Sequence, residues 1–459
     1  MKTSKQIGKW LAMGTLLLAS GTGALAATWT GDGADNDWDT PGNWQDNTVP
    51  AANDPINFGN LTPEVATVSV DNNHTGLLVG QITFSDTTAY TIGGVAITST
   101  NSSNVITNNS SVRQTISADF YSGWSASGRT INGGEAGVAF VSYVNSSAGD
   151  WGHIVSGNIS FDKFYISTPD TKGSKGAGYA LAYYGNNSTT TVNEIHSTTP
   201  GPDGEQGYGF NLTGNQTFII TGTTYFEGSM NIGAGVTVVL QGAADVNSIR
   251  YFEASGNTAA LINNADMVNT KYAWVTGTLG GTGQFSIRGT RLHRASTEFH
   301  LAPGDINSVG KLGFVGGAAE GWNSAGSVVT YDWNYNHDLT AAAGVGFDQI
   351  YVEGTLNFGA DTQYVLNLVG LDGASLDDFT ALESGVWDII TATGGISNFD
   401  TSRWTYDDTL FDLALSGDAT SLQLLLIPEP TVSALLLGGS LLLSALAALR
   451  RQRSARSRG

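Results

Sequence analysis

Val65-Ala66-Thr67-Val68-Ser69-Val70-Asp71, Gly80-Gln81-Ile82-Thr83-Phe84 and Tyr90-Thr91-Ile92-Gly93-Gly94 decide how this chain folds. In each run an apolar residue returns at every second position. That spacing puts one row of side chains on a single face of an extended strand, and Gly or Asn then turns the corner. Similar runs recur at Thr217–Thr221, Val236–Leu240, Gln349–Phe358 and Gln363–Val369. No segment between residues 30 and 420 keeps a 3.6-residue apolar period. Sixty glycines and only 13% charged residues do not suit long amphipathic helices either. The sequence predicts an all-β protein.

Ahead of these runs lies Trp29-Thr30-Gly31-Asp32-Gly33, then Trp38, Asn43-Trp44, Pro50, Asp54, Ile56 and Phe58. Rings this large among Gly, Asp and Asn are expected to close one end of a β-structure over tight turns, with sugar stacking as the functional alternative. The pattern Trp-x-Gly, Trp, Asn-Trp, Pro, Asp-x-Ile-x-Phe resembles the start of proteins with autotransporter-associated β-strand repeats. Gly280-Gly281-Thr282-Gly283-Gln284-Phe285, Leu301-Ala302-Pro303-Gly304 and Gly310-Lys311-Leu312-Gly313-Phe314 resemble the same family's coil. Residues of about 105–290 depart from it. The resemblance implies a right-handed parallel β-helix, with coils of about 20–30 residues.

The chain ends in a different texture. Ile427-Pro428-Glu429-Pro430 leads into nineteen uncharged residues, Thr431–Leu449, followed by Arg450, Arg451, Arg453, Arg456 and Arg458. At helical rise the apolar run spans roughly 28 Å, enough to cross a bilayer's hydrocarbon core. The arginines are expected on the cytoplasmic side. Carboxylate between prolines, membrane helix and basic cluster together resemble the PEP-CTERM sorting signal of Gram-negative bacteria. That resemblance implies an exosortase as processing partner, with the precursor held in the inner membrane before release to the cell envelope or extracellular matrix. A plain membrane anchor is the alternative.

Lys2, Lys5 and Lys9 before the apolar run Trp10–Ala19, with Ala24 and Ala26 at the cleavage positions, read as a secretory signal peptide handled by the secretion machinery. The expected organisation is a signal peptide at 1–26, a β-helix-like repeat region at 27–300, β-rich coils at 301–426 and the sorting signal at 427–459. The chain carries −20 overall. Without the three signal lysines, the five tail arginines and Glu429, 12 basic and 39 acidic residues remain, about −27. Such a surface argues against nucleic acid as a partner. Absence of cysteine excludes disulfides and thiol catalysis.

Few residues carry chemistry. Histidines 74, 153, 196, 293, 300 and 337 show no metal-ligand spacing and are expected at the surface or in turns. Asp32, Asp35, Asp37 and Asp39 could offer oxygen ligands to calcium, although Thr40 stands where an EF-hand loop needs Gly. No other cofactor is expected. The sequence supports an exported, non-enzymatic surface or matrix protein. Its alternatives are a carbohydrate-binding adhesin, with extracellular polysaccharide as partner, and a β-helix glycosidase or lyase.

Overall fold

A computed structural model describes residues 26–59, 61, 66–100, 104–122, 129–145, 153–166, 180–197, 209–225, 228–246, 249–265, 267–270, 272–287, 298–304, 308–315, 328–382 and 384–427. The described chain is all-β. Twenty-five strands join in one sheet and seven in a second, and neither sheet closes on itself. The strands pair in parallel almost throughout, consistent with a solenoid of stacked coils. Parallel neighbours need a long return path, and here that path is the rest of each coil.

The register shows why the alternation in the sequence matters. Val70, Ile92, Ile116, Phe140, Phe161, Val192, Ile220 and Leu240 stand above one another, one per coil. Each is 3% exposed or less, so the line is the inner face of the stack. Residues one position away, such as Thr91, Ser160 and Thr191, face outward. Burying each apolar side chain contributes about 1.5–3 kcal/mol before the opposing chain entropy. A one-residue slip would turn the whole line to water, so the register is strongly specified.

A second line, Ile56, Ile82, Ile106, Ile131 and Val155, repeats every 24–26 residues, inside the expected coil length. Towards the C-terminus the coils lengthen. Phe314, Val352 and Ala392 are in register at separations of 38 and 40 residues. The extra chain forms the loop around Asn336–Phe347 and the short helix Leu376–Thr380, whose Ser375 and Asp378 make a reciprocal capping box. The ladder passes through residue 300 without interruption, because Glu298–Pro303 pairs on both sides. The expected single run Gln349–Phe358 divides into Gln349–Val352 and Leu356–Asn357. Gly354, at φ 117°, makes the corner between them.

Both ends are closed. Trp29, Trp38 and Trp44 are buried (0%, 0% and 2% exposed) and pack around Phe58 with centroids 5.9–6.4 Å from it. They cap the core as expected and offer no face to a sugar. At the other end the all-parallel expectation fails. Phe411–Leu415 and Ser421–Leu426 form an antiparallel hairpin that lies against Val386–Ala392. Asp418 organises its turn, accepting from the hydroxyls of Ser416 and Thr420 at 2.7 and 2.8 Å. A hairpin needs only this tight turn, and it covers the last parallel edge of the seven-stranded sheet.

Candidate functional site

The longest strands, His153–Ile166, Ala180–Ser197 and Gly209–Ile220, lie in the region that departs from the repeat pattern. Each bends at a left-handed residue: Gly157 at φ 69°, Asn187 at φ 49° and Gly214 at φ 83°. Asn and Gly are the residues that adopt this conformation at least cost. Close approach adds a second demand at two glycines. A Cβ on Gly185 would meet the Gln216 Cβ at 2.3 Å, and one on Gly214 would meet the Gly185 carbonyl at 2.1 Å.

This bent corner carries an outward groove in two parts. One, of about 350 Å³, is lined by Arg113, Asn158, Ser160, Thr189 and Thr191 together with backbone and small side chains. The other, of about 240 Å³, is lined by Asn187, Ser188, Asn215, Gln216, Thr217 and Thr237. Thr189 belongs to both. The polar lining is hydroxyl and amide, Ala136, Val138 and Ile159 add apolar surface to the larger part, and there is a single cation and no carboxylate among the described residues. Arg113 Nη2 donates to Ser160 Oγ at 2.5 Å, and Asn215 Nδ2 donates to Asn187 Oδ1 at 2.6 Å.

Two polar atoms below the groove are unmatched. Gln216 Nε2 donates to the carbonyls of Tyr183 and Thr213, but Gln216 Oε1 has no partner among the described residues. Neither has Ser188 Oγ, on the neighbouring coil and in register with Gln216. Both residues are 4% exposed, where an unmet hydrogen bond is costly. Beside them Tyr184 is 48% exposed, and its Cε2 would stand 3.1 Å from a Cβ on Gly214. The ring therefore lies over the glycine next to Asn215.

A second outward feature is an aromatic stack. Tyr165, His196 and Tyr225 occupy one register position on three coils, with centroids 4.8 and 4.6 Å apart and planes within 19°. His196 Nε2 is 2.7 Å from Glu194 Oε2. These rings cover one another's faces, which leaves mainly Tyr225 with a face for anything else.

The histidines form no common site among the described residues. His74 pairs with Asp39 (2.9 Å), His300 with Asp332 (2.9 Å) and His337 with Asp378 (3.1 Å), on separate coils. The Asp378 hydrogen bond holds the His337 pKa above its ordinary value. His153 lies on a strand, and His293 lies outside the described residues.

Asp32, Asp35, Asp37 and Asp39 do not converge either. Asp35 accepts from the Asp37 amide and from Asn43, whereas Asp39 turns to His74. The Asp35 pKa is lowered, first by Thr40, while Asp37 is held up by desolvation and by the carboxylates of Asp35, Asp71 and Asp39. Among the described residues no three His, Asp or Glu side chains gather as metal ligands.

Ala26 is exposed, one residue before the strand Ala27–Trp29. Ala24, Pro428, Glu429, Pro430, the expected membrane helix and Arg450, Arg451, Arg453, Arg456 and Arg458 lie outside the described residues. Within the described residues no helix is long and apolar enough to cross a membrane. Comparisons with family models, curated proteins and solved structures return no match.

Proposed function

We propose that this chain is an exported, non-enzymatic protein of the cell surface or extracellular matrix, a right-handed parallel β-helix. An exosortase processes it at Pro428-Glu429-Pro430. The supporting observation is positional: among the described residues the first strand begins at Ala27 and the last ends at Leu426, between the two expected targeting segments. A structural role suits a long ladder whose core line is unbroken over eight coils. The two prolines hold the junction extended, and Glu429 gives a processing enzyme something to select. Glu429→Ala is expected to insert normally and to accumulate as membrane-bound precursor. Normal processing of that variant favours the plain anchor instead.

A second reading is carbohydrate binding, and a specific observation favours it. Tyr184 stands exposed beside a groove of hydroxyls and amides. A glycosidase needs paired carboxylates across the scissile bond, and this groove supplies none among the described residues.

A further inference from the structure

The groove is built on the outside of the coil stack, so its polar groups repeat from coil to coil. Gln114, Val138, Ile159, Thr190, Phe218 and Val238 are in register across six coils. Their outward neighbours include Arg113, Asn158, Thr189, Thr217 and Thr237. Five steps of about 4.8 Å make this outward row about 24 Å long. One step is comparable with the length of one hexose unit, so a glycan chain lying along the row meets an amide or hydroxyl at Asn158, Thr189, Thr217 and Thr237, with Arg113 and Gly137 at the other two coils.

We propose that this row, with Tyr184 beside it, is a binding site for an extended neutral polysaccharide laid across the coils. Two observations argue for that ligand class. The lining hydroxyls and amides both donate and accept, as sugar hydroxyls require of a partner. Among the described residues no ring stacks on Tyr184; Tyr225, at the end of the Tyr165–His196–Tyr225 stack, also keeps an open face but is not among the residues that line the groove. An aromatic face beside polar groups matches a sugar, which is apolar on its ring face and polar at its rim.

Charge selects neutral over acidic chains. Arg113 is the single cation of the groove and already donates to Ser160, while the chain as a whole is strongly acidic. A polyanion would be repelled over most of its approach.

This inference rests on the carbohydrate-binding reading and is independent of export or tail processing. The test is native affinity electrophoresis of the full chain in mild detergent. Galactomannan, hydroxyethylcellulose and mixed-linkage β-glucan serve as neutral probes, and alginate as the acidic one. At least one neutral polymer is expected to retard the protein, and alginate is not. Tyr184→Ala should weaken that retardation about tenfold, the usual scale for losing an aromatic anchor. Thr217→Ala, also outward-facing, should weaken it as well, and Tyr225→Ala should not. Melting curves confirm that each variant is folded. Retardation by a neutral polymer that survives both Tyr184→Ala and Thr217→Ala overturns this site but leaves carbohydrate binding standing. Retardation by alginate alone does the same. No retardation by any polymer overturns both.

Discussion

The narrow coils up to about residue 265 and the wide coils after residue 328 bury the same kind of apolar line, but they close their corners by different chemistry. In the narrow coils, buried neutral amides reach across to backbone carbonyls. Gln114 Nε2 donates to Thr88 O at 3.1 Å, Asn108 Nδ2 to Gly137 O at 2.9 Å and Gln216 Nε2 to Tyr183 O at 3.0 Å. An amide satisfies the backbone without bringing a charge inside. In the wide coils the Asn334 and Gln349 amides still reach the Pro303 and Asp388 carbonyls, and a buried carboxyl group is added. Asp348, 0% exposed, accepts from the amides of Gly310 (2.7 Å) and Asn334 (2.9 Å) and from Asn334 Nδ2 (2.6 Å). Around it the extra chain length is filled with rings: Trp333, Tyr335, Phe347, Phe379, Trp387 and Phe411. Width therefore comes with pH sensitivity and with dependence on a few large side chains.

The sharpest way to break this contrast is to remove one of those rings. Trp333 is fully buried, and its Nε1 donates to the Asp348 carbonyl at 2.7 Å. Trp333→Ala should cost about 3–5 kcal/mol, measured by urea unfolding. Limited proteolysis should then cut first after residue 328, with the narrow coils still protected. Equal loss of protection along the whole chain would mean that the two regions unfold as one unit.

A smaller effect is expected in the narrow region. Gly185→Ala drives a Cβ into Gln216 at 2.3 Å, an overpacking that should cost about 1–3 kcal/mol by the same measurement. Because Gln216 lines the groove, the variant should also disturb it.

The pH dependence sharpens the comparison further. Burial pushes the Asp348 carboxyl up to about 8, against its three donors, from an unfolded value near 3.9. Between these values the folded protein keeps a proton that the unfolded chain releases. Stability therefore falls as pH rises from about 4 through about 8. Melting temperature followed across that range should decline in the wild type and decline less in Asp348→Asn. An unchanged slope would remove Asp348 from the account of the wide coils.

The smallest effect belongs to the exposed pair His337 and Asp378. The carboxylate raises the imidazole pKa, so its contribution is present below the unfolded histidine value and lost as pH rises through the folded one. Proton NMR should show His337 titrating above its ordinary value and falling back towards it in Asp378→Asn, with the Asp372 carbonyl still holding part of the shift. Little change in melting temperature is expected, since the pair is solvated.

Much of this fold was legible in the sequence, for a physical reason. Alternation of period two fixes which face is inward, so lines such as Val70, Ile92 and Ile116 could be read residue by residue. The tryptophan cap was legible because rings of that size among turn residues have few places to go. Partnerships across coils were not legible. Asp332 meets His300 and Asn367 from 32 and 35 residues away, and no local spacing encodes that. The groove was hidden for the same reason: Arg113, Thr189 and Thr237 become neighbours only through register. Buried Arg129, whose Nη1 donates to Ser99 O at 3.1 Å, also gave no signal, since a lone arginine in a strand reads as exposed. The antiparallel hairpin at the C-terminal end escaped because its strands alternate just as parallel ones do.

Whether this ladder is an exported and trimmed product is decided most directly at its termini. Mass spectrometry of the mature protein from its native host, fractionated into membrane, envelope and medium, reads both ends at once. The expected species begins at Ala27, has lost Arg450–Arg458 and is found outside the inner membrane. A wild-type protein that keeps Arg450–Arg458 and stays in the inner membrane would contradict the sorting reading and leave a permanent anchor in its place.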